Sequence, residues 1–407
     1  MKFKVNHSSQ NIKGALQITG SKSESNRLLI IESLFKNLEI TNLSNSDDSQ
    51  VMKKALTSNE VEVDIHHAGT AMRFLTAYFA VKEGRETVLT GSKRMQERPI
   101  KLLVEALRSM GAEITYEKNE GYPPIRIQGK KLQANSVSLQ ANISSQYISA
   151  LMLIGASLPH GLTISLEGQV TSTPYILMTL EMLQRSGIQG SFEDNTITIE
   201  ACSALSPKTI PVESDWSSAS YFYSIAALCE EAEISLSNYR KESLQGDSCL
   251  AKIYKQFGVT TSFGENSIML KKSKCSKPAS ISEDLRNSPD IAQTIAVTCL
   301  GLGVGCKLTG LHTLKIKETD RLVALKNEIE KLGGEVVISN DHLELLPATS
   351  LKENIEIATY NDHRMAMAFA PIALKTPVII EDAMVVSKSY PDFYKDLESL
   401  NFTVQNA

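Results

Sequence analysis

The sequence lacks the features that mark nucleic-acid-binding, membrane-spanning and secreted proteins. Its 407 residues include 42 Lys and Arg and 46 Asp and Glu, so the formal net charge is −4 and any basic site must be local. No apolar run reaches the roughly 20 residues that cross a bilayer, and the N-terminal MKFKVNHSSQ contains no apolar segment of a signal peptide. We therefore expect a cytoplasmic protein with neither nucleic acid nor a membrane as its partner.

Cysteine is also sparse. The six cysteines all lie in the second half of the chain, and no two of them form a CxxC pair. Disulfide-stabilised proteins are usually small and dense in cysteine, so this distribution favours a reducing compartment.

Motifs of the common metal, nucleotide and serine-nucleophile sites are missing. The sequence contains no HExxH and no GxSxG, and its seven histidines show no ligand spacing beyond the adjacent pair His66–His67. GLGVGCK (301–307) is rich in glycine, but it has neither Walker spacing nor GxGxxG, so we interpret it as a turn. We expect no metal site.

What the chain does contain is a sixfold repeat of one helix–strand–helix unit that ends in one or two strands. The fourth copy has helix patterns at 217–231 and 246–258, a strand at 232–239 and a hairpin at 259–272. The first copy is shorter, because NEVEVDI (59–65) runs into the second copy without a full hairpin. The copies begin near Ser21, Gly69, Ser144, Ser217, Asp290 and His363.

The two helices of a copy differ in polarity. First helices such as YISALMLIGASL (147–158) are apolar on all faces, which indicates burial on every side, whereas second helices such as LVALKNEIEKLG (322–333) are amphipathic. The length of the chain favours two domains. We predict an α/β protein of two inside-out domains, each with three α-β-α-β-β units around buried first helices. The domains are expected at 15–212 and at 1–14 plus 213–407.

Basic and hydroxyl-bearing residues concentrate where these helices begin. Helix N-termini present unpaired N–H groups and a partial positive charge, and placing arginine there costs about 0.3–1 kcal/mol per charge unless an anion binds. Equivalent positions of repeated units share one end of a domain. We therefore expect an active site in the interdomain cleft that binds phosphate and carboxylate groups. The residues near these helix starts are Lys22, Ser23, Arg27, Gly69, Thr70, Arg73, Arg94, Arg98, Ser144, Ser145, Gln146, Ser172, Tyr175, Asp290, Lys317, Glu318, Arg321, His363, Arg364 and Lys388.

Asp290 and Glu318 are the carboxylates placed among these cations. Neighbouring cations keep a carboxylate ionised, which suits a general base, and such proton transfer contributes about 10²–10⁴-fold to a rate. Each motif alone also has a structural explanation: Ser288 and Pro289 can start the helix at Asp290, and Glu318 can pair with Arg321. Capping does not explain why the cations share one end of the repeats.

Nine segments together resemble the 5-enolpyruvylshikimate-3-phosphate synthase family over essentially the whole chain. In order they are SKSESNR, AGTAMR, RMQERP, SSQY, STPY, SPDIAQT, KETDR, YNDHRMAM and SKSYPDF. The resemblance implies two inside-out α/β domains with the ligands between them. It also implies transfer of the enolpyruvyl group of phosphoenolpyruvate to the 5-hydroxyl of shikimate 3-phosphate, with release of phosphate through a tetrahedral intermediate. No metal or organic cofactor is expected, and a monomer is usual in the family.

The resemblance assigns roles to the residues that match the family motifs. Asp290 is expected to be the base for the 5-hydroxyl, and Glu318 to protonate the methylene carbon and later remove a proton. The catalytic set is Asp290, Glu318 and Lys22. The shikimate 3-phosphate set is Lys22, Ser23, Arg27, Ser144, Ser145, Gln146, Ser172, Tyr175, Asp290 and Lys317. The phosphoenolpyruvate set is Lys22, Gly69, Arg98, Gln146, Arg321, Arg364 and Lys388.

Two other functions stay open at this point. A UDP-N-acetylglucosamine enolpyruvyl transferase shares the fold and the donor, but it normally has a cysteine before the arginine matched by Arg98, where this chain has GSKRMQERP. A non-catalytic anion-binding paralogue would be expected to have lost Asp290 or Glu318, and both remain.

The chain departs from the family pattern at three positions near the expected site. His67 and Thr313 stand where asparagine is usual, and Phe74 stands where proline usually follows AGTAMR. None of these changes removes a charged residue of the expected chemistry.

Overall fold

The computed structural model describes residues 1–141, 144–168, 170, 173–273 and 276–407; the expected ligand residue Ser172 lies outside these ranges. The protein forms two compact units, a first unit of residues 20–212 and a second unit of residues 1–19 and 213–407. We expected residues 15–19 in the first domain. They lie in the second unit, because the strand at 11–16 pairs with the strand at 231–237. Among the described residues, no helix combines the length and apolar character needed to cross a membrane.

The chain begins with two strands, β1 (Phe3–Asn6) and β2 (Asn11–Leu16). The first unit then contains, in chain order, α1 (Lys22–Phe35), β3 (Leu38–Thr41), α2 (Asp47–Thr57), β4 (Glu62–Asp64), α3 (Gly69–Ala80), β5 (Glu86–Thr90), α4 (Lys93–Gln96), α5 (Lys101–Ser109), β6 (Glu113–Tyr116), β7 (Ile125–Gln128), β8 (Ser136–Gln140), α6 (Ser145–Gly155), β9 (Leu162–Glu167), α7 (Thr173–Ser186), β10 (Gly190–Glu193), β11 (Thr196–Ile199) and β12 (Lys208–Pro211).

The remaining elements of the second unit follow the same alternation of helices and strands. They are α8 (Trp216–Leu228), β13 (Glu231–Ser237), α9 (Leu250–Ile253), β14 (Val259–Phe263), β15 (Ser267–Lys272), β16 (Ser280–Asp284), α10 (Ala292–Leu302), β17 (Gly305–Thr309), α11 (Arg321–Lys331), β18 (Val336–Ile338), β19 (Leu343–Leu345), β20 (Ile355–Ile357), α12 (His363–Phe369), β21 (Val378–Ile380), α13 (Phe393–Ser399) and β22 (Thr403–Asn406). Short 3₁₀ helices lie at Gly246–Cys249, Tyr254–Phe257, Pro289–Ile291, His312–Ile316, Ala370–Leu374 and Ala383–Lys388.

The strands form small sheets with one recurring pattern, which confirms the predicted mixed α/β class. In the order β8-β9-β11-β10, the first pair is parallel and the hairpin β10–β11 adds antiparallel strands. Parallel neighbours need a crossover, and α3, α6, α10 and α12 supply it in the second, third, fifth and sixth copies. In the first and fourth copies the parallel partner comes from elsewhere in the chain, since β3 pairs with β12 and β13 pairs with β2. A further strand precedes each first helix, in addition to the elements of the predicted α-β-α-β-β unit. The other sheets are β4-β5-β7-β6, β2-β13-β15-β14, β16-β17-β19-β18, β20-β21-β1-β22 and β12-β3.

Two of these sheets explain the course of the chain. The β12–β3 sheet has two parallel strands and no hairpin, in keeping with the short first copy. The sheet of the sixth copy takes β1 from the N-terminus, which pairs with β21 and β22. The second unit is therefore built from both ends of the chain.

The first helices form the centre of each unit. Every residue of α8 except Ser217 is buried, and α3, α6 and α10 are buried along almost their whole length. Second helices are less regular: in the fourth copy, 3₁₀ turns flank α9, and the segment ends at Gly258 with φ of +78°. The bodies of the first helices therefore belong to the core, together with buried hydroxyl side chains such as Thr76, Ser224 and Thr298.

Candidate functional site

Arg27, one turn into α1, is a buried cation held by neutral groups of three helices. Its Nε donates to Thr179 Oγ1 at 2.7 Å, its Nη2 donates to Ser149 Oγ at 3.1 Å, and its Nη1 donates to the Ser23 carbonyl at 2.8 Å. The guanidinium carbon also lies 5.9 Å from the ring centroid of Tyr175. Burial lowers the pKa of Arg27 to about 10, so the side chain is still charged at neutral pH.

A second group of cations lies at the start of α3. Gly69 begins this helix, and a Cβ at Gly69 would meet Arg98 Nη1 at 2.6 Å, so a larger residue would require that guanidinium to move. Arg73 Nη1 donates to the Gly69 carbonyl at 3.0 Å. Gln146 Nε2 donates to Thr70 Oγ1 at 3.2 Å, which brings the start of α6 to the start of α3. The structure thus gathers three residues of the expected phosphoenolpyruvate set: Gly69, Arg98 and Gln146.

The two arginines near Gly69 are close enough to repel one another. Burial, and then the positive charge of Arg98, lowers the pKa of Arg73 to about 10. The hydrogen bonds of Arg73 go to a backbone carbonyl at Gly69, the thioether of Met95 and a backbone carbonyl at Pro99, all of them neutral acceptors. An anion bound at this helix start would relieve the repulsion.

Three other expected substrate-binding residues of the first unit, Lys22, Ser144 and Ser145, also lie at helix starts. Lys22 is the first residue of α1, and its Nζ lies 3.6 Å from Asp48 Oδ1 of α2. Ser144 caps α6 through its side chain, which accepts from the Gln146 N–H at 3.4 Å, and Ser145 is the first residue of that helix.

In the second unit, Arg321 carries three carboxylates. Only 2% of its side chain is exposed. Its Nη1 lies 2.9 Å from Asp290 Oδ1, its Nη2 lies 2.8 Å from Glu318 Oε2, and its Nε lies 2.6 Å from Asp362 Oδ2. Burial opposes this charge, but the three carboxylates together raise the pKa of Arg321 above its ordinary value.

Asp290 in turn contacts three cations. Beside Arg321, Arg364 Nη2 lies 3.1 Å from Asp290 Oδ2, and Lys317 Nζ lies 3.6 Å from Oδ1. Arg364 also donates to the Asp290 backbone carbonyl at 3.2 Å. We expected Asp290 to begin an α-helix; it lies instead in the 3₁₀ turn Pro289–Ile291 that precedes α10. These three contacts fix the direction of the Asp290 carboxylate.

Lys388 is held by an unusual turn. Tyr360 and Asn361 both have positive φ, 52° and 57°, and Lys388 Nζ donates to the Asn361 carbonyl at 2.7 Å and to its Oδ1 at 2.8 Å. Asp362, which follows, caps α12 by accepting from the Arg364 N–H at 2.9 Å. Consecutive residues therefore anchor Lys388, Arg321 and the helix that carries Arg364.

Asp247 is a carboxylate that the sequence analysis did not single out. It accepts a short hydrogen bond from Ser217 Oγ at the start of α8. Its side chain keeps some solvent exposure, but the protein around it and the charge of Asp290 raise the pKa of Asp247 to about 7, while Arg364 and Ser217 oppose the shift.

The contacts of two candidate residues, Arg94 and His363, do not indicate a role in substrate binding. Arg94, in α4, is 68% exposed and pairs with Glu97 at 3.3 Å, so the structure keeps it on the surface. His363 is buried, with its Nδ1 3.7 Å from Asp362 Oδ1, which fits the structural role that it has in isolation. Among the described residues, no group of three or more His, Cys, Asp or Glu side chains is placed to hold a metal ion.

The residues missed by sequence reasoning are partners rather than cations. Asp48, Asp362 and Asn361 hold Lys22, Arg321 and Lys388 respectively. Their only signal in the sequence is a position beside a helix start, which capping explains equally well.

Comparison with known proteins gives a consistent result. A sequence model of the family described as EPSP synthase (3-phosphoshikimate 1-carboxyvinyltransferase) matches residues 53–397. A protein of Bacteroides fragilis (strain YCH46) named 3-phosphoshikimate 1-carboxyvinyltransferase is 45% identical over 409 residues, covering 100% of this chain and 99% of the relative. A protein of the same name from Vibrio campbellii is 36% identical over 421 residues, covering 96% of this chain and 97% of the relative.

The fold has a match among solved structures. The structure of EPSP synthase from Acinetobacter baumannii superposes with a TM-score of 0.78 over 100% of both chains, at 21% sequence identity. At this identity the likeness speaks for the fold alone.

Proposed function

The chain belongs to the EPSP synthase family, and from this premise we propose that it transfers the enolpyruvyl group of phosphoenolpyruvate to the 5-hydroxyl of shikimate 3-phosphate and releases phosphate. The observation that best supports the mechanism is the set of ion pairs that Arg321 makes with Asp290, Glu318 and Asp362. One buried guanidinium holds Asp290 and Glu318 in a fixed arrangement.

We propose that the cations of the first unit bind the two anionic substrates. Arg27, Ser23, Ser144, Ser145 and Tyr175 are assigned to shikimate 3-phosphate, as is Ser172 outside the described residues. Gly69, Arg98 and Gln146 are assigned to phosphoenolpyruvate, and Lys22 to both. The hydrogen-bond acceptors of Arg27 in α1 and Arg73 in α3 are neutral groups. The positive charge near these helix starts is therefore available to a ligand, which supports the assignment.

We propose that Asp290 is the general base. Its carboxylate removes the proton of the 5-hydroxyl as that oxygen forms a bond to C2 of phosphoenolpyruvate. Lys317 and Arg364, which contact Asp290, keep it ionised before the reaction, and both also serve substrate binding. Arg321 orients Asp290 and Glu318, while Lys388, anchored by Asn361, is assigned to phosphoenolpyruvate with Arg321 and Arg364.

Glu318 is assigned the two proton transfers at carbon. After taking up a proton from solvent, it gives that proton to C3 as C2 is attacked, which produces a tetrahedral intermediate with a methyl group. It then removes a proton from that methyl group, the C2–O bond to phosphate breaks, and the double bond is restored. The hydroxyl proton leaves through Asp290, so protons and bonds balance without a metal or organic cofactor. At 34% exposure, the Glu318 side chain can reach both a substrate and solvent.

Product identification tests this proposal. The protein incubated with both substrates should yield a compound whose mass equals shikimate 3-phosphate plus an enolpyruvyl group, with vinyl proton signals in NMR spectra. Omitting either substrate should abolish it. No such product from the folded protein would contradict the proposal. We further propose that the protein acts as a monomer in the cytoplasm.

A further inference from the structure

Arg27 lies against two aromatic rings. Its guanidinium carbon is 5.3 Å from the ring centroid of Phe74 in α3 and 5.9 Å from that of Tyr175 in α7. Phe74 is 1% exposed, so this ring makes its contact in a dry environment, where a cation over an aromatic face is held most strongly.

The partners of Arg27 differ from those of the cations in the second unit. Arg321 contacts three carboxylates, and Arg364 contacts Asp290. Arg27 donates to two hydroxyls and one backbone carbonyl, and no carboxylate of the described residues lies within 4.0 Å of it. The charge of buried Glu24 acts on Arg27 from a greater distance and raises its pKa, against the larger lowering by burial. Three of its five N–H groups are used in these bonds. The others have no acceptor among the residues described.

We propose that Phe74 is a positioning residue for substrate binding, whose ring face holds the Arg27 guanidinium in place without neutralising it, so that its free N–H groups can bind an anionic substrate. This inference rests on the proposed function, in which that substrate is shikimate 3-phosphate. A carboxylate in the place of Phe74 would hold Arg27 as firmly, but it would cancel the charge that the substrate needs.

The same side chain also links two parts of the first unit's site. Phe74 lies in the second turn of α3, the helix whose first residue, Gly69, packs against Arg98. The position of α3 therefore affects both the cation at its own start and Arg27 in α1.

The alternative is that Phe74 is only a core residue, since α3 is buried along its length. Fluorinated phenylalanines separate the two roles, because each added fluorine weakens the negative potential of the ring face with little change in size. Phe79 of the same helix is the matched control. Its ring lies 4.6 Å from the guanidinium carbon of Arg85, which belongs to neither substrate set.

The experiment measures shikimate 3-phosphate binding by calorimetry for the full chain with 4-fluoro- and 3,4,5-trifluorophenylalanine at position 74 or at position 79. At position 74 the affinity should fall in step with fluorination, by about 3- to 30-fold for the trifluoro ring. The turnover number should stay within about twofold at saturating substrate, because Phe74 touches no reacting atom. At position 79 neither quantity should change.

Equal affinity across the position-74 series would overturn the inference while leaving the proposed function intact, provided that the unsubstituted protein binds and turns over. A parallel loss at positions 74 and 79 would also overturn it, since that would report general disturbance of α3. Failure of the unsubstituted protein to bind shikimate 3-phosphate would overturn the proposed function and this inference together.

Discussion

Arg321 Nη1 lies 2.9 Å from Asp290 Oδ1. Arg321 is the first residue of α11, and it fixes the position of a carboxylate just before α10. The two residues are brought together because α10 and α11 belong to the same copy of the repeat. The contact places a positive charge beside Asp290 and fixes the direction of its carboxylate.

Replacement of Asp290 by Asn should remove the base while keeping its shape and its hydrogen-bonding oxygen. We expect the turnover number to fall about 10²–10⁴-fold, with substrate affinities changed far less. Steady-state kinetics and calorimetry measure the two effects. Asp284→Asn is the control, since Asp284 pairs with the exposed Arg286 at the end of β16. Wild-type turnover in Asp290→Asn would remove this residue from the mechanism.

Glu318→Gln tests proton transfer at carbon. In D₂O, an enzyme that protonates and deprotonates C3 should place deuterium in the vinyl group of the product and in recovered phosphoenolpyruvate. The variant should lose about 10²–10⁴-fold in both turnover and exchange. Glu330→Gln in α11, where Glu330 pairs with Lys326, should behave as wild type. Exchange at the normal rate in Glu318→Gln would assign the proton transfer to another group.

Gly69→Ala should weaken phosphoenolpyruvate binding selectively. The new Cβ would lie 2.6 Å from Arg98 Nη1, so the guanidinium must move away from the helix start. Loss of one charge-assisted contact should raise the KM for phosphoenolpyruvate about 10- to 100-fold, with a smaller effect on kcat. Gly264→Ala, in a hairpin turn where only the Ser267 side chain and carbonyl are near, is the control. An unchanged KM would mean that Arg98 does not serve this substrate.

Asp247→Asn should change stability in a pH-dependent way. Because the folded-state pKa of Asp247 is raised from 3.8 to about 7, the native protein binds more protons than the unfolded chain between these values. Its contribution therefore becomes more destabilising as the pH rises from about 4 to 7, and it is constant above that. Asn, which carries no charge and can still accept from Ser217, removes this penalty.

Thermal unfolding at pH 5 and pH 8 measures the effect. The variant should unfold roughly 3–10 °C above wild type at pH 8, and the gain should shrink at pH 5. Asp194→Asn, in an exposed turn with φ of 45°, should show no such pH dependence. A gain that is equal at both pH values would contradict the assigned titration of Asp247.

Much of the fold follows from sequence periodicity, and the parts that do not have physical reasons. The buried first helices were predictable because an all-round apolar pattern excludes solvent. The strand before each first helix was not: β8 is five residues long and reads like any alternating segment, and only its parallel pairing with β9 places it in that copy. That residues 15–19 belong to the second unit, and not to the first domain as predicted, likewise depends on the pairing of β2 with β13.

The site divides in the same manner. The cations could be located because arginine and lysine at a helix start are unusual enough to demand a ligand. Their partners could not, since Asp48 and Asp362 look like ordinary helix-start residues until the structure shows what they contact. Asp247 could not be singled out for another reason. Its raised pKa depends on surrounding groups from α8 and from the turn at Asp290, which are distant in the sequence.

The most direct test of the account is phosphate release from phosphoenolpyruvate with two acceptors in separate reactions. With shikimate 3-phosphate the protein should release phosphate catalytically, and with UDP-N-acetylglucosamine it should release none. Release with UDP-N-acetylglucosamine alone would contradict the assigned acceptor, and no release in either reaction would contradict the assignment of Asp290 and Glu318 to catalysis.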